Sequence, residues 1–201
     1  MPRKPEYDRD ALIARARDLF WKQGWAGTSL KDLERVLNMK PGSFYAAFGS
    51  KAALFALTLD LYAEQGTKRL AELAAAHGPL GALQRYPAMV ITGSNTTAKA
   101  CMLAKTVLEL GDQDAQLAAR ANAHLSHMEG LFAELFLAAQ TAGQISKAFD
   151  AGTLARRYQS DLMGLRVSAE RVGVDADAIA QEIADSLARL AVAPPNDNVS
   201  I

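Results

Sequence analysis

Small and hydroxyl-bearing residues stand together in the segment Gly42-Ser-Phe-Tyr-Ala-Ala-Phe48. On a helix the two phenylalanines share an inward face, because they are four residues apart. The residues left facing outward are Gly42, Ser43, Tyr45, Ala46 and Ala47. Small side chains allow another molecule to approach closely, and the two hydroxyl groups can bond to it. Because the major groove of DNA, about 12 Å wide, admits one helix, this segment suits a DNA-reading role.

Other reactive side chains are few. Cys101 begins the apolar stretch Cys-Met-Leu-Ala, which favours an inert buried thiol. Lys99 and Lys105 keep a second interpretation open, in which a cationic setting makes the thiol a sensor of electrophiles or oxidants. His124 and His127 share a helix, but metal sites need three or four ligands, so we predict no metal.

Enzyme motifs are missing from the sequence. It has no phosphate-binding glycine loop, no nucleophile elbow and no paired Glu-x-x-His motifs on two helices. We therefore predict a protein that is not an enzyme and that needs no cofactor.

Composition indicates an ordinary globular protein. The chain has 201 residues, 50% of them hydrophobic, which suits one or two domains with a real core. One cysteine allows no intramolecular disulfide and fits a reducing compartment. No apolar run approaches the roughly 20 residues of a membrane span, and the N-terminus lacks the apolar stretch of a signal peptide. We predict a cytoplasmic protein with no membrane partner.

The charge is unevenly distributed, although 22 basic residues balance 22 acidic ones overall. Residues 1–52 contain ten lysines and arginines against six acidic residues, so this part is basic and the remainder is acidic. A basic segment of this kind is compatible with an anionic partner such as DNA.

Helical periodicity predicts an all-α fold with about nine helices, since alanine and leucine dominate and no strand pattern emerges. A cap at Thr28 or Ser29 begins the second helix, and Pro41 suits the first position of the third. The predicted helices cover 8–23, a short segment after Ser29, 41–47, 51–76, 80–92, 98–110, 112–141, 150–172 and 175–192.

The first three helices have the arrangement of a helix-turn-helix unit. Asn38-Met39-Lys40 forms a tight turn between the second and third, so that the second helix braces the third against DNA. We place this DNA-binding domain at residues 1–52, a further helical domain at 53–193, and a flexible tail at 194–201.

Residues 11–54 resemble the DNA-binding domain of the TetR family of transcriptional regulators, the TetR/AcrR-type helix-turn-helix repressors. The matching residues are Leu19-Phe20, then Gly24 followed by Thr28-Ser29, and the run Gly42-Ser-Phe-Tyr-Ala-Ala-Phe-Gly-Ser-Lys-Ala-Ala-Leu54. The remainder of the chain resembles the family in length and helical character only.

The resemblance implies specific contacts with double-stranded DNA. Thr28, with Ser29 beside it, and Tyr45 would reach phosphates, and Lys51 would add a positive charge at the start of the fourth helix. Gly42, Ser43, Ala46 and Ala47 would lie against base edges. Lys40 takes the place of the usual Ser, Thr or Asn cap, which forfeits a cap and leaves its charge for a phosphate. Arg3 and Lys4 would form a basic arm.

A two-fold homodimer on a palindromic operator fits this reading, because one such unit buries only about 600–1,000 Å² on DNA. The last two predicted helices are the interface, through one apolar stripe on each, although the same stripes could instead cover the subunit's own core. The predicted interface residues are Leu154, Tyr158, Leu162, Leu165, Ala169, Ile179, Ile183 and Leu187.

The resemblance implies that residues 53–193 are a helical effector-binding and dimerisation domain. Its central helices are expected to bind a small-molecule effector, for example an electrophilic or xenobiotic one, that releases the repressor from its operator. Aromatic residues, methionines and a few polar groups are the predicted pocket: Tyr62, Met89, Cys101, Met102, Glu109, His124, His127, Phe132 and Phe136. The alternative is an α-helical protein-interaction module that does not bind DNA.

Overall fold

Eight helices, α1 to α8, form the secondary structure in a computed structural model that describes residues 8–92 and 98–190. They are α1 (Arg9–Gln23), α2 (Leu30–Leu37), α3 (Pro41–Phe48), α4 (Lys51–Thr92), α5 (Met102–Leu110), α6 (Ala115–Thr141), α7 (Ala151–Ser168) and α8 (Ala176–Ala188). No strand occurs in these two ranges, and the all-α prediction is confirmed. Within them no single helix could span a membrane; the bent pair α3 and α4 passes that test by length and composition alone.

Local signals place most helix boundaries where the sequence predicts them. Ser29 caps α2, and the Ser50 hydroxyl accepts a hydrogen bond from the Ala53 amide at 3.0 Å at the start of α4. Gly78 interrupts α4 with φ 72°, a left-handed conformation that favours glycine, at the predicted break. Gly78 thus separates two helical segments within α4, as the sequence predicts, and the described residues contain eight helices when these two segments are counted as one kinked helix.

Three boundaries differ from prediction by four residues. Helix α5 begins at Met102 and not at residue 98, so Cys101 is a half-buried N-cap residue in extended conformation and does not lie within the helix. Helices α7 and α8 end four residues before the predicted 172 and 192. The predicted tail at 194–201 and the basic arm at Arg3 and Lys4 lie outside the described residues.

The chain divides into two compact units. The first comprises Met1–Arg69 with Gly93–Met128, and the second comprises Leu70–Thr92 with Glu129–Ile201. These units are defined by packing, whereas the predicted boundary between residues 52 and 53 concerns function and stays a prediction.

The core of the first unit joins its helices around aromatic rings. Phe20 of α1 contacts Phe55 of α4 edge to face, with 4.7 Å between ring centroids, and Trp25 lies 5.2 Å from the same ring. The buried residues shared by the other helices are Leu33, Leu37, Phe44, Phe48, Met102, Leu103, Leu110, Leu117 and Ala121. The helix-turn-helix segment and α5 are thus parts of one core.

In the second unit, Tyr158 of α7 is the centre of a buried aromatic cluster. Its ring meets Phe132 at 4.9 Å and Phe136 at 5.9 Å, both on α6. Its hydroxyl donates a 2.6 Å hydrogen bond to the carbonyl oxygen of Leu83. Pro87, four residues after Leu83, has no amide hydrogen to offer that carbonyl. Burial raises the pKa of Tyr158 well above its usual value, so the hydroxyl stays protonated and donates.

Four of the eight predicted dimer-interface residues are buried inside the chain, and the prediction is wrong for them. Tyr158, Leu162, Leu165 and Leu187 are buried within the chain itself, with at most 5% exposed, so they have no surface left for a partner. The apolar stripes of α7 and α8 therefore cover the core of their own unit at these positions. Leu154, Ala169, Ile179 and Ile183 are half-buried, and their role stays a prediction.

We predict that Tyr158→Phe lowers the free energy of unfolding by about 1–3 kcal/mol, because it leaves the buried Leu83 carbonyl without its donor. Tyr45→Phe, the same change at an exposed ring, is the control and should leave stability unchanged. Urea denaturation of both variants makes the comparison. Equal stabilities for the two variants would contradict the pairing of Tyr158 with Leu83.

Candidate nucleic-acid interface

The turn between α2 and α3 fixes their relative direction. Helix α2 opens with a capping box, in which the Ser29 hydroxyl accepts the Asp32 amide at 3.2 Å and the Asp32 carboxylate accepts the Ser29 amide at 3.0 Å. The Ser29 hydroxyl also donates to the Asp32 carboxylate at 2.6 Å, and this bond together with that from the Ser29 amide holds the pKa of Asp32 below its usual value. The helix ends at Asn38 in left-handed conformation, and the Met39 amide bonds back to the Glu34 carbonyl at 2.9 Å.

Helix α3 presents the face that the sequence predicts. Phe44 and Phe48 are 0% and 5% exposed, and their rings are 5.7 Å apart in the core of the first unit. Tyr45 is 48% exposed and keeps its ring edge to face against Phe44 at 5.6 Å. Gly42, Ala46 and Ala47 are exposed as well, and Ser43 is half-buried. The predicted inward and outward faces are confirmed, whereas the individual base and phosphate contacts stay predictions.

The first turn of α3 suits an anion. Lys40 is its N-cap residue and makes no side-chain cap, as the sequence predicts, so its exposed ammonium is left for other partners. Pro41 occupies the first helical position, where an amide hydrogen is not required. The amides of Gly42 and Ser43 come before the first intrahelical bond, and the helix dipole adds positive potential there.

Gly42 has no internal reason to be glycine. A Cβ atom built on it meets nothing within 4 Å, and its backbone is not in the left-handed region. Glycine in a helix costs stability relative to alanine. The missing side chain therefore fits an external requirement, the close approach of another molecule to α3.

Two predicted contact residues are used inside the protein. Thr28 is 1% exposed and its hydroxyl donates to the Gly24 carbonyl at 2.7 Å, so the prediction that this hydroxyl reaches a phosphate is wrong in this arrangement. The Lys51 ammonium donates to the Trp25 carbonyl at 2.6 Å and lies 4.0 Å from the centre of the Trp25 ring. Burial lowers the pKa of Lys51, and the charge of Glu109 opposes this shift. Two N–H donors of Lys51 remain for other partners, and its phosphate contact stays a prediction.

Arg9 is a basic residue of this surface that the sequence analysis missed. Its guanidinium lies 5.6 Å from the centre of the Phe48 ring. Arg9, the first residue of α1, is therefore close to the C-terminal end of α3. The two residues are far apart in the chain, and periodicity gives no signal for such a contact. Arg9 therefore adds a positive charge beside α3.

The predicted effector residues divide between the two units. Met102 is core in the first unit, and Phe132 and Phe136 are core in the second. His124 bonds to Asp60 at 2.8 Å, and Glu109 bonds to the backbone of the α1–α2 loop, so both already serve the packing of the first unit. Tyr62 packs on Trp21, Met89 is half-buried and His127 is exposed. A cleft of about 410 Å³ in the second unit includes only Phe136 from the predicted set.

Helix α3 buries one face and exposes the other, and it follows the capped helix α2 after a tight turn. This arrangement is typical of a helix-turn-helix DNA-binding protein. Residues 12–58 match the family model described as bacterial regulatory proteins, tetR family. The chain belongs to the TetR family and is a DNA-binding transcriptional regulator. The resemblance drawn from residues 11–54 is confirmed, and it disfavours the alternative of a protein-interaction module.

Relatives extend the likeness along most of the chain. The HTH-type transcriptional repressor ComR of Escherichia coli K12 is 28% identical over 188 residues, which cover 92% of this chain and 89% of ComR. A TetR-family regulator from Cytophaga hutchinsonii superposes with a TM-score of 0.82 at 22% identity, covering 92% of this chain and 96% of that one. The TetR-family regulator CifR, solved as a cysteine mutant with 26-bp double-strand operator DNA, superposes with a TM-score of 0.78 at 28% identity. The match covers 94% of this chain and 100% of the CifR chain.

We predict that Gly42→Ala stabilises the fold by about 0.5 kcal/mol, as at other compatible sites, yet weakens DNA binding because the new methyl group lies between α3 and the groove. Gly130→Ala is the matched control, since Gly130 is also exposed, helical and open around its Cβ position. Thermal unfolding and a DNA-binding titration are measured for both variants. Unchanged DNA affinity in Gly42→Ala would show that this face of α3 does not approach DNA.

Proposed function

We propose that the protein is a homodimeric repressor in the cytoplasm, bound to a palindromic operator and released from it by a small-molecule effector. The observation that carries the proposal is the outward face of α3, which bears small residues and two hydroxyl groups and on which the Cβ position of Gly42 is open. ComR carries the name of a repressor, and CifR was solved with 26 bp of operator DNA. A duplex of that length has room for two half-sites one helical turn apart.

A second copy is proposed to pack on the exposed side of α7. Ser160 and Gly164 are exposed one helical turn apart, and Val167 follows with 57% of its surface exposed. A Cβ atom at Gly164 meets nothing within 4 Å, so the glycine has no packing role inside the chain. Small residues on this side permit close approach of a helix from the partner, and two-fold pairing would present two α3 helices to one duplex.

The effector is proposed to act by binding better to a conformation in which α3 is misplaced. The cleft in the second unit supplies an apolar lining from Phe136, Phe149, Leu154 and Leu187, with Arg157 and Asp161 as charged groups. A lining of this kind suits a small organic molecule. Cys101, half-buried at the start of α5, is the candidate residue for an electrophilic effector.

Selection of bound sequences from a random duplex pool, with and without candidate effectors, tests the proposal. We expect an inverted repeat, two chains per duplex, and loss of binding when an effector is added. Enrichment of a site without two-fold symmetry, or of no site at all, would contradict the operator part of the proposal.

We predict that Lys40→Gln lowers the slope of log affinity against log salt by about two for a dimer, because each lost phosphate contact releases about one counterion fewer. Lys68→Gln makes the same charge change at an exposed position of α4 and should leave the slope unchanged. Fluorescence anisotropy with the selected operator at several salt concentrations measures both slopes. Equal slopes for the two variants would remove Lys40 from the interface.

A further inference from the structure

Helix α5 reaches the segment that leads into the DNA-binding helices. The two oxygens of Glu109, near the end of α5, accept the backbone amides of Trp25 at 3.0 Å and Ala26 at 2.7 Å. These amides belong to the loop between α1 and α2, more than 80 residues earlier in the chain. One carboxylate therefore pairs two successive loop amides, as charge-assisted hydrogen bonds.

The loop backbone is shaped to receive this carboxylate. Gly24 has φ 76°, which favours glycine, and a Cβ atom there would lie 3.1 Å from one Glu109 oxygen. Lys51 approaches the same loop from another side through the Trp25 carbonyl. The loop is thus held through its amides by Glu109 and through a carbonyl by Lys51, and these two side chains attract each other electrostatically.

Two further bonds fix α5 against the end of α1. The Lys105 ammonium donates to the Trp21 carbonyl at 2.9 Å, in the last turn of α1, where carbonyl groups lack helical partners. The indole of Trp21 donates in turn to the Ala100 carbonyl at 2.6 Å, just before α5. Lys105 and Glu109 are one helical turn apart, so one side of α5 holds both the end of α1 and the loop.

We propose that Glu109 is a positioning residue for DNA binding, which sets the α1–α2 loop and through it the start of α2. Ser29, the N-cap of α2, lies three residues beyond Ala26, and α2 carries α3 across the tight turn. Loss of the carboxylate frees the loop amides and lets the entry to α2 shift, without removing any contact with DNA. The inference rests on α3 being the DNA-reading helix.

Glu109→Gln tests this role, because glutamine keeps the size but loses the charge and one of the two acceptors. Because the loop and α3 are coupled in this proposal, we expect operator affinity to fall about tenfold, within the roughly 5–150-fold range usual for such coupling. The salt dependence of binding should stay as in the unaltered protein, since no phosphate contact is lost. Glu64→Gln, the same charge change at an exposed position of α4, is the control and should bind normally.

Circular dichroism confirms folding before affinity is compared. Normal operator affinity in folded Glu109→Gln overturns the inference, even if its melting temperature is lower, and so does a change in the salt slope. If Lys40→Gln and Gly42→Ala also leave DNA binding unaltered, the assignment of α3 has failed and not the role of Glu109 alone.

A second measurement uses the unaltered protein and does not depend on the variant folding. If the loop and α3 are coupled, operator DNA should slow amide hydrogen exchange at Trp25 and Ala26, because linkage is reciprocal. If operator DNA leaves the exchange rates of both amides unchanged, the inference is overturned.

Discussion

The burial of Phe44 and Phe48 is the constraint on which the DNA-binding surface depends. An isolated eight-residue helix is unstable in water, so α3 exists because these two rings enter a core shared with α2 and α4. Burying one face fixes the rotation of the helix about its axis, and the other face is left with glycine, alanine and two hydroxyl-bearing residues. The proposed presentation of α3 to DNA and the stability of the first unit therefore have one physical cause.

The same core also includes α5, and this gives the DNA-binding segment a dependence on distant residues. The hydrogen bonds of Lys105, Glu109 and Trp21 join α5 to the end of α1 and to the following loop. A shift of α5 cannot leave that loop unchanged, because the loop amides have the carboxylate as their partner. In the proposed function, such a dependence would connect the DNA-reading helix to α5 within the first unit.

The sequence predicts what depends on neighbours in the chain and fails where a distant partner decides. The two faces of α3, the cap at Ser29 and the break at Gly78 follow from spacing and local chemistry. An amphipathic stripe shows that a helix face is buried but not what covers it. The stripes on α7 and α8 therefore predict a partner at Tyr158 and Leu187, whereas both residues lie in the core of their own chain. Glu109 has loop amides as its partners, and no spacing rule shows such a contact.

The backbone amide signals of α3, followed by nuclear magnetic resonance during titration with operator duplex, test whether this helix is the one that meets DNA. We expect the largest shifts at Gly42, Ser43 and Tyr45 to Ala47, with smaller ones at Arg9, and little change at the exposed residues of α8. Tight duplex binding that leaves the α3 signals in place and moves those of another surface would contradict the account.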